Sequence, residues 1–283
     1  MFDKWVLIER KNENMQTMVF QCEDSIEGML TGVYDAYASR LGHHNCKLSV
    51  GETEYELFCT YRKVISSEEK TEKVIRTLRK EFGEENYMRL CYVMASHEKD
   101  KAETLYKTIV VGLREKLGYR IFEHLSDAHV MRAFALQRNV GFEVMHYRGF
   151  VRFKELANGV LLAVINPKNH ILPFLMSHFV DRFPLENFLI YDEVRNLAGV
   201  HHARRQVGDT KMRNGISTEQ DWFLMEPEFF DKEFTEYVTD DEKYYQELFK
   251  AFQKTIEIKA RTNPKLQMQM LPLRFRGNMT EFQ

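Results

Sequence analysis

No stretch of this 283-residue sequence is apolar for anything close to the roughly 18 residues that a membrane helix needs. The opening run, Met1 to Arg10, has no apolar core ahead of a small-residue cleavage site. No membrane partner is expected, and the expected location is cytoplasmic. Cysteine is scarce: Cys22, Cys46, Cys59 and Cys91 are the full set. None lies at the CxxC spacing that lets thiolates share zinc or an iron–sulfur cluster, so they read as reduced thiols. The sequence also lacks a P-loop, a GxGxxG turn, a nucleophile elbow and a zinc-protease helix. A formal charge of −2 gives no overall attraction to a polyphosphate, so any nucleic-acid contact requires a local basic surface.

Ten histidines raise the question of a metal. His170 and His178 fall eight residues apart on one expected helix, about 12 Å along its axis, too far to share an ion. The doublets His43-His44 and His201-His202 each point two ways. No metal and no cofactor are expected.

What the chain does have is apolar content, 44% of residues, enough for a substantial core, and a segregated charge. Ile216 to Phe249 carries 11 acidic residues against two lysines, whereas Lys250 to Arg276 carries seven Lys or Arg against Glu257 alone. Arg195 to Arg213 holds five basic residues against Asp209.

Periodicity gives the elements. Lys4 to Arg10 and Met15 to Cys22 read as β-forming runs. Asp24 or Ser25 can cap a helix carrying Ile26, Met29, Leu30, Val33, Tyr34 and Tyr37 at helical spacing. His43 to Tyr55 reads as a connection and Leu57 to Val64 as extended. A helix from Ser67 buries Val74, Ile75, Leu78 and Phe82 and stops at Gly83. Helices are then expected over Glu85 to His97, Lys99 to Leu117 and Asp127 to Met145. From Tyr147 the pattern becomes β: Gly149 to Leu156 and Val160 to Ile165 flank the Asn158-Gly159 turn. A helix over Ile171 to Phe183 follows, with Pro173 in its first turn. A second hairpin joins Phe188 to Asp192 with Leu197 to Ala203. Beyond it stand a basic stretch from Arg204 to Ser217 and an acidic aromatic helix over Pro227 to Val238. The last helix is capped by Thr239-Asp-Asp-Glu242 and buries Tyr245, Leu248, Phe249 and Phe252. Asn263-Pro264 should end that helix and leave an extended tail.

The expected fold is α+β: a helical N-terminal half with an initial strand (1–145), a ββαββ antiparallel sheet unit (146–215), and C-terminal helices with a basic tail (216–283), together forming one integrated domain.

Within that frame, His178 and Arg182 lie i, i+4 on one helix face at the border of its apolar stripe. Asp192 ends a strand, where it can act as a base or pair with Arg195. These three are the catalytic candidates, and they require one shared cleft. Arg148, Arg152 and Lys154 alternate with Val151 and Phe153, which puts the cations on one strand face. Arg261, Asn263, Gln267, Gln269 and Arg274 combine phosphate-neutralising with amide groups. With Arg195, Arg204 and Arg205, they make up the nucleic-acid-binding candidates. Each also has a structural reading, as a solvated face or an internal pair.

The runs His146-Tyr-Arg-Gly-Phe-Val-Arg-Phe153, Ile171-Leu-Pro-Phe-Leu-Met-Ser-His-Phe-Val-Asp-Arg-Phe183, Tyr191-Asp192 with Arg195, and Arg261-Thr-Asn-Pro-Lys-Leu-Gln-Met-Gln269 with Leu271-Pro-Leu-Arg274 resemble an uncharacterised bacterial family. That family is described as DNA-metabolism or DNA-repair proteins, associated with a radical-SAM protein of the spore-photoproduct-lyase-like kind. In some chains the domain precedes a uracil-DNA-glycosylase-like domain. The resemblance spans roughly Met18 to Phe282. It departs at Pro272-Leu-Arg-Phe-Arg276, where the family reads Pro-Lys-Arg-aromatic-Trp. It implies a DNA-repair accessory protein that binds nucleic acid, a radical-SAM partner, or both. Two alternatives stand beside it: a metal-independent DNA-processing enzyme cleaving base or backbone, and a protein-only adaptor.

Overall fold

The computed structural model describes residues 16–51, 55–203, 221–227 and 239–282. The chain divides into two compact units, Met1–Gly141 and Phe142–Gln283. The expected strand at Lys4 to Arg10, the basic stretch from Arg204 and the helix after Pro227 lie outside the described residues. Among the described residues, no helix is long and apolar enough to cross a membrane. The α+β class holds, with a helical N-terminal half and two sheets.

Unit 1 is built on three strands, β1 (Thr17–Cys22), β2 (Cys46–Val50) and β3 (Cys59–Lys63). They are ordered β2-β1-β3, and both pairings are parallel. Helix α1 (Ile26–Ala38) starts where Ser25 accepts the Gly28 N–H at 2.9 Å, the N-cap expected of that serine. Gly32 lets α1 press onto β1: a Cβ there would collide with the Cys22 Sγ and meet Leu48. Helix α2 (Glu68–Ala95) breaks at Gly83, whose φ of 81° belongs to the left-handed region that favours glycine. Helix α3 (Lys101–Arg114) follows. Phe20, Leu30, Leu78, Leu90, Leu105 and Tyr106 form the dry centre. Cys22, Cys46 and Cys91 are buried free thiols, and burial, with help from Asp35, pushes the Cys22 thiol up to about 12.

His43 to Tyr55 is not merely a connection, since it contains β2. Cys46, Leu48 and Val50 alternate with polar residues and are buried, but the pattern is short and sits behind two histidines, which hides its period of two.

Helix α4 (Ala128–Phe150) crosses the boundary between the units and runs past the point where a strand was expected. Residues Tyr147 and Phe150 are β-formers by type. Their spacing instead places them on a helix, where both rings meet Phe275, with centroids 5.0 and 5.6 Å away. Tertiary packing overrides local preference. Strand β4 is consequently only Phe153–Glu155, and β5 is Leu161–Ile165. Between them Gly159 turns at φ 76°.

Helix α5 (Leu172–Arg182), with proline in its first turn, leads to β6 (Phe188–Asp192), β7 (Leu197–His201) and β8 (Trp222–Met225). The order is β4-β5-β6-β7-β8. The ββαββ unit is therefore present but not purely antiparallel: β5 and β6 pair in parallel, because a helix between two strands carries the chain back to the end where it started. Strand β8, absent from the expected unit, adds a fifth member. Phe153 packs against Phe179, Phe183 and Phe188 at 5.1 to 5.7 Å, tying β4 to α5 and β6.

The C-terminal part departs most from expectation. Helix α6 (Asp240–Ile256) is capped by Thr239, which accepts the Glu242 N–H as foreseen. Its residues Tyr245, Leu248, Phe249 and Phe252 are between 38% and 62% exposed instead of buried. Asn263-Pro264 starts a helix, α7 (Pro264–Met270), rather than ending one: Asn263 accepts the Leu266 N–H and proline occupies the first turn, the usual residues of a helix start.

Candidate functional site

Unit 2 carries a buried polar centre at the carboxyl ends of its two parallel strands, where Ile165 and Asp192 stand side by side. Helix α4 delivers Glu143, 2% exposed, and Tyr147 one turn later. The Glu143 carboxylate accepts the Lys168 N–H at 3.1 Å, the Asn169 N–H at 2.9 Å and the Asn169 side-chain amide at 2.6 Å. It also pairs with Arg274 at 3.3 Å.

Asp192, fully buried, accepts the Val194 and Arg195 N–H groups and the Arg195 guanidinium at 3.0 Å. Arg195 then donates onward to the carbonyls of Pro167 and Lys168, and Tyr147 is hydrogen-bonded to the backbone of Asn166. Glu143, Tyr147 and Arg195 thus clamp the segment 166–169 that leaves β5. Burial raises the Asp192 carboxyl above its ordinary range, against the lowering pull of Arg195 and two backbone N–H groups. Burial and the Glu143 charge raise the Tyr147 phenol. Such a centre is closed. Its carboxylates are occupied by internal donors, as buried charges must be.

The three catalytic candidates come from two elements, His178 and Arg182 from α5 and Asp192 from the end of β6. Asp192 belongs to this centre. His178 is half-buried on α5 beside the Phe179 ring. Its imidazole is held below the usual 6.5 by burial first, then by Arg148 and Arg182, with Asp181 opposing.

The nucleic-acid candidates sort by partner. Arg152 is not on a strand face. It precedes β4, binds Glu281 at 2.6 Å and donates to the carbonyls of Gly149 and Val151. Arg195 and Arg274 are engaged by Asp192 and Glu143. Arg148 lies on α4, not on a hairpin. It and Arg182 are exposed, and among the described residues neither is paired with a carboxylate. The alternating basic strand face thus does not exist, and in its place Arg148 and Arg182 converge electrostatically on His178.

Arg261, Asn263 and Gln267 line an open crevice of about 520 Å³ with Ile258 and Leu266. Gln269 is exposed on α7, not on a strand. Arg204 and Arg205 lie outside the described residues. Among the described residues, no group of three His, Cys, Asp or Glu is placed to hold a metal ion.

Glu143, Tyr147 and Asn169 were not foreseen as a unit. The available signal was Glu143 itself, a carboxylate flanked at helical spacing by Val140 and Tyr147, and so on the buried face of its own helix.

A family model described as a domain of unknown function, DUF4130, matches residues 99–281, well over half of the chain. No curated protein matches. A solved structure, titled as the DHH domain of a member of a family of ribosomal proteins, aligns over 71% of this chain and 77% of that one, at 10% identity and a TM-score of 0.39.

Proposed function

The chain belongs to the DUF4130 family, and on that premise we propose that it is a DNA-metabolism accessory protein whose unit 2 grips a nucleic-acid backbone through Arg148, His178 and Arg182. One observation supports this reading above the rest. Arg152, Arg195 and Arg274 are each neutralised by an internal carboxylate, while Arg148 and Arg182 stay exposed and lower the proton affinity of His178 against the one opposing charge of Asp181. A cluster of unbalanced cations is the footprint that phosphate oxygens fit. The resemblance adds that the DNA is handled in repair, beside a radical-SAM enzyme.

Fluorescence anisotropy with single-stranded, duplex and damaged DNA over a salt series tests the proposal. Binding should weaken linearly in log–log form, by about 0.7 to 0.9 per phosphate neutralised. The double variant Arg148→Ala, Arg182→Ala should lower that slope by about 2. Absence of binding to all three DNAs at low salt overturns it.

A protein-docking reading is favoured by the exposed Tyr245, Leu248 and Phe252 of α6, since contiguous apolar exposure marks interaction surfaces. Co-purification with the radical-SAM protein, lost on Leu248→Glu, tests that reading. The enzyme alternative, which needs His178 and Asp192 in one cleft, has no comparable support.

A further inference from the structure

Unit 1 contains a crevice that the DNA-binding reading does not use. It opens at the carboxyl ends of its three parallel strands, where β1 ends at Cys22, β2 at Val50 and β3 at Lys63. The chain goes from β1 to β2 on one side and then crosses to β3 on the other, so the strand order turns back across β1. Open parallel sheets bind ligands in the crevice outside such strand ends. Here that crevice has a volume of about 970 Å³, and its walls include Glu23, Asp24, Gly51, Tyr55, Lys63 and Ser66.

Both carboxylates are held in place from outside the turn that carries them. Glu23 accepts the Ser66 hydroxyl at 2.9 Å, and Asp24 is paired at 2.5 Å with Lys101, which is itself buried. A carboxylate offers about four acceptor sites, so each keeps capacity for a ligand's donors. Ser49 continues the cross-strand row Lys63, Gln21, Ser49, of which Lys63 and Gln21 line the crevice. It is buried, and its hydroxyl has no hydrogen-bond partner among the described residues.

The turn that enters α1 is not built as a phosphate cradle. The turn from Cys22 to Ser25 contains no glycine, Glu27 occupies the first turn of α1, and the Ser25 hydroxyl is engaged by the Gly28 N–H. The same crevice is lined by an exposed tyrosine ring, Tyr55, and by the apolar Val64 and Ile65.

We propose that this crevice binds an uncharged nucleoside, its ribose hydroxyls donating to Glu23 and Asp24 and its base lying against Tyr55 and the apolar residues that follow β3. A vicinal diol matches an acceptor-only carboxylate, and a flat base matches an aromatic wall.

Isothermal titration calorimetry of the full chain with adenosine, AMP, ATP and spermidine tests the assignment. Adenosine should bind, with AMP and ATP at least tenfold weaker because their phosphates meet two carboxylates against the single cation Lys63. Glu23→Gln and Tyr55→Ala, both at exposed positions, should each weaken adenosine at least tenfold while leaving the circular dichroism and the melting temperature unchanged. Nucleotides binding as tightly as adenosine, spermidine as the sole binder, adenosine indifferent to both substitutions, or no heat from any probe at millimolar concentration would each overturn it. The DNA-binding variants of unit 2 leave this result unaffected, so the two proposals fail separately.

Discussion

The carboxyl ends of parallel strands are treated in opposite ways by the two units. In unit 2 the ends of β5 and β6 are sealed: Glu143, Tyr147 and Arg195 close on the segment 166–169, and the carboxylates of Glu143 and Asp192 are filled by protein donors. In unit 1 the ends of β1, β2 and β3 stay open around a crevice with two carboxylates in its walls. The topological position is the same in both, and the difference lies in what the flanking elements bring to it. Helix α4 carries a carboxylate on its buried face and so stitches its strand ends shut. The turn entering α1 carries its carboxylates on the exposed side of the strand ends. A strand-end position is thus a binding site only where the fold leaves its polar groups with capacity to spare.

Removing one carboxylate from each unit gives the largest separation. Glu143→Ala strips partners from two backbone N–H groups, the Asn169 amide and Arg274. Breaking a buried ionic network of this kind costs about 3–5 kcal/mol, so the urea midpoint should fall steeply. Glu23→Gln, at an exposed position bonded to Ser66, should cost less than about 1 kcal/mol. Equal losses would erase the distinction between a sealed and an open edge. A smaller effect is expected from packing in unit 1. Gly32→Ala forces a Cβ against the Cys22 Sγ and Leu48, short side chains with little room to move, and should destabilise by about 1–3 kcal/mol. A thermal melt unchanged by Gly32→Ala would show that α1 can lift from β1 without loss.

Much of this was legible in the chain. Caps at Ser25 and Thr239, the break at Gly83 and the turn at Gly159 are local chemistry, and local chemistry is what a sequence states directly. The parallel pairing of β5 with β6 was missed, since the unit was expected to be antiparallel, although the helix between the two strands requires it. What was hidden is tertiary. The extension of α4 depends on Phe275, more than a hundred residues away. Which arginines are free depends on the distant carboxylates Glu281 and Glu143. Counting cations along the sequence gave Arg148, Arg152, Arg195 and Arg274 equal weight, and only the fold separates Arg148 from the rest.

That separation can be sharpened through His178, the smallest effect and the most specific. Its imidazole is held below 6.5 by burial, then by Arg148 and Arg182. A histidine lowered in the fold adds stability above its unfolded value and loses it as the pH falls through the folded one. The free protein should therefore lose a little stability in acid. Bound phosphates reverse the electrostatics, because their charge offsets the two arginines and favours the imidazolium. Binding should then take up a proton, and affinity for DNA should rise as the pH falls. A shift of about one unit between free and bound histidine corresponds to about 1.4 kcal/mol, or tenfold in affinity. Anisotropy titrations at about pH 7.5 and 5.5 should show a rise of up to that size in the parent chain and none in His178→Gln. If the variant keeps the same pH slope, the histidine does not face the phosphates and the patch is only a solvated edge of unit 2. If the slope disappears while His178→Gln still binds at pH 7.5, Arg148 and Arg182 hold the backbone and His178 reads its charge.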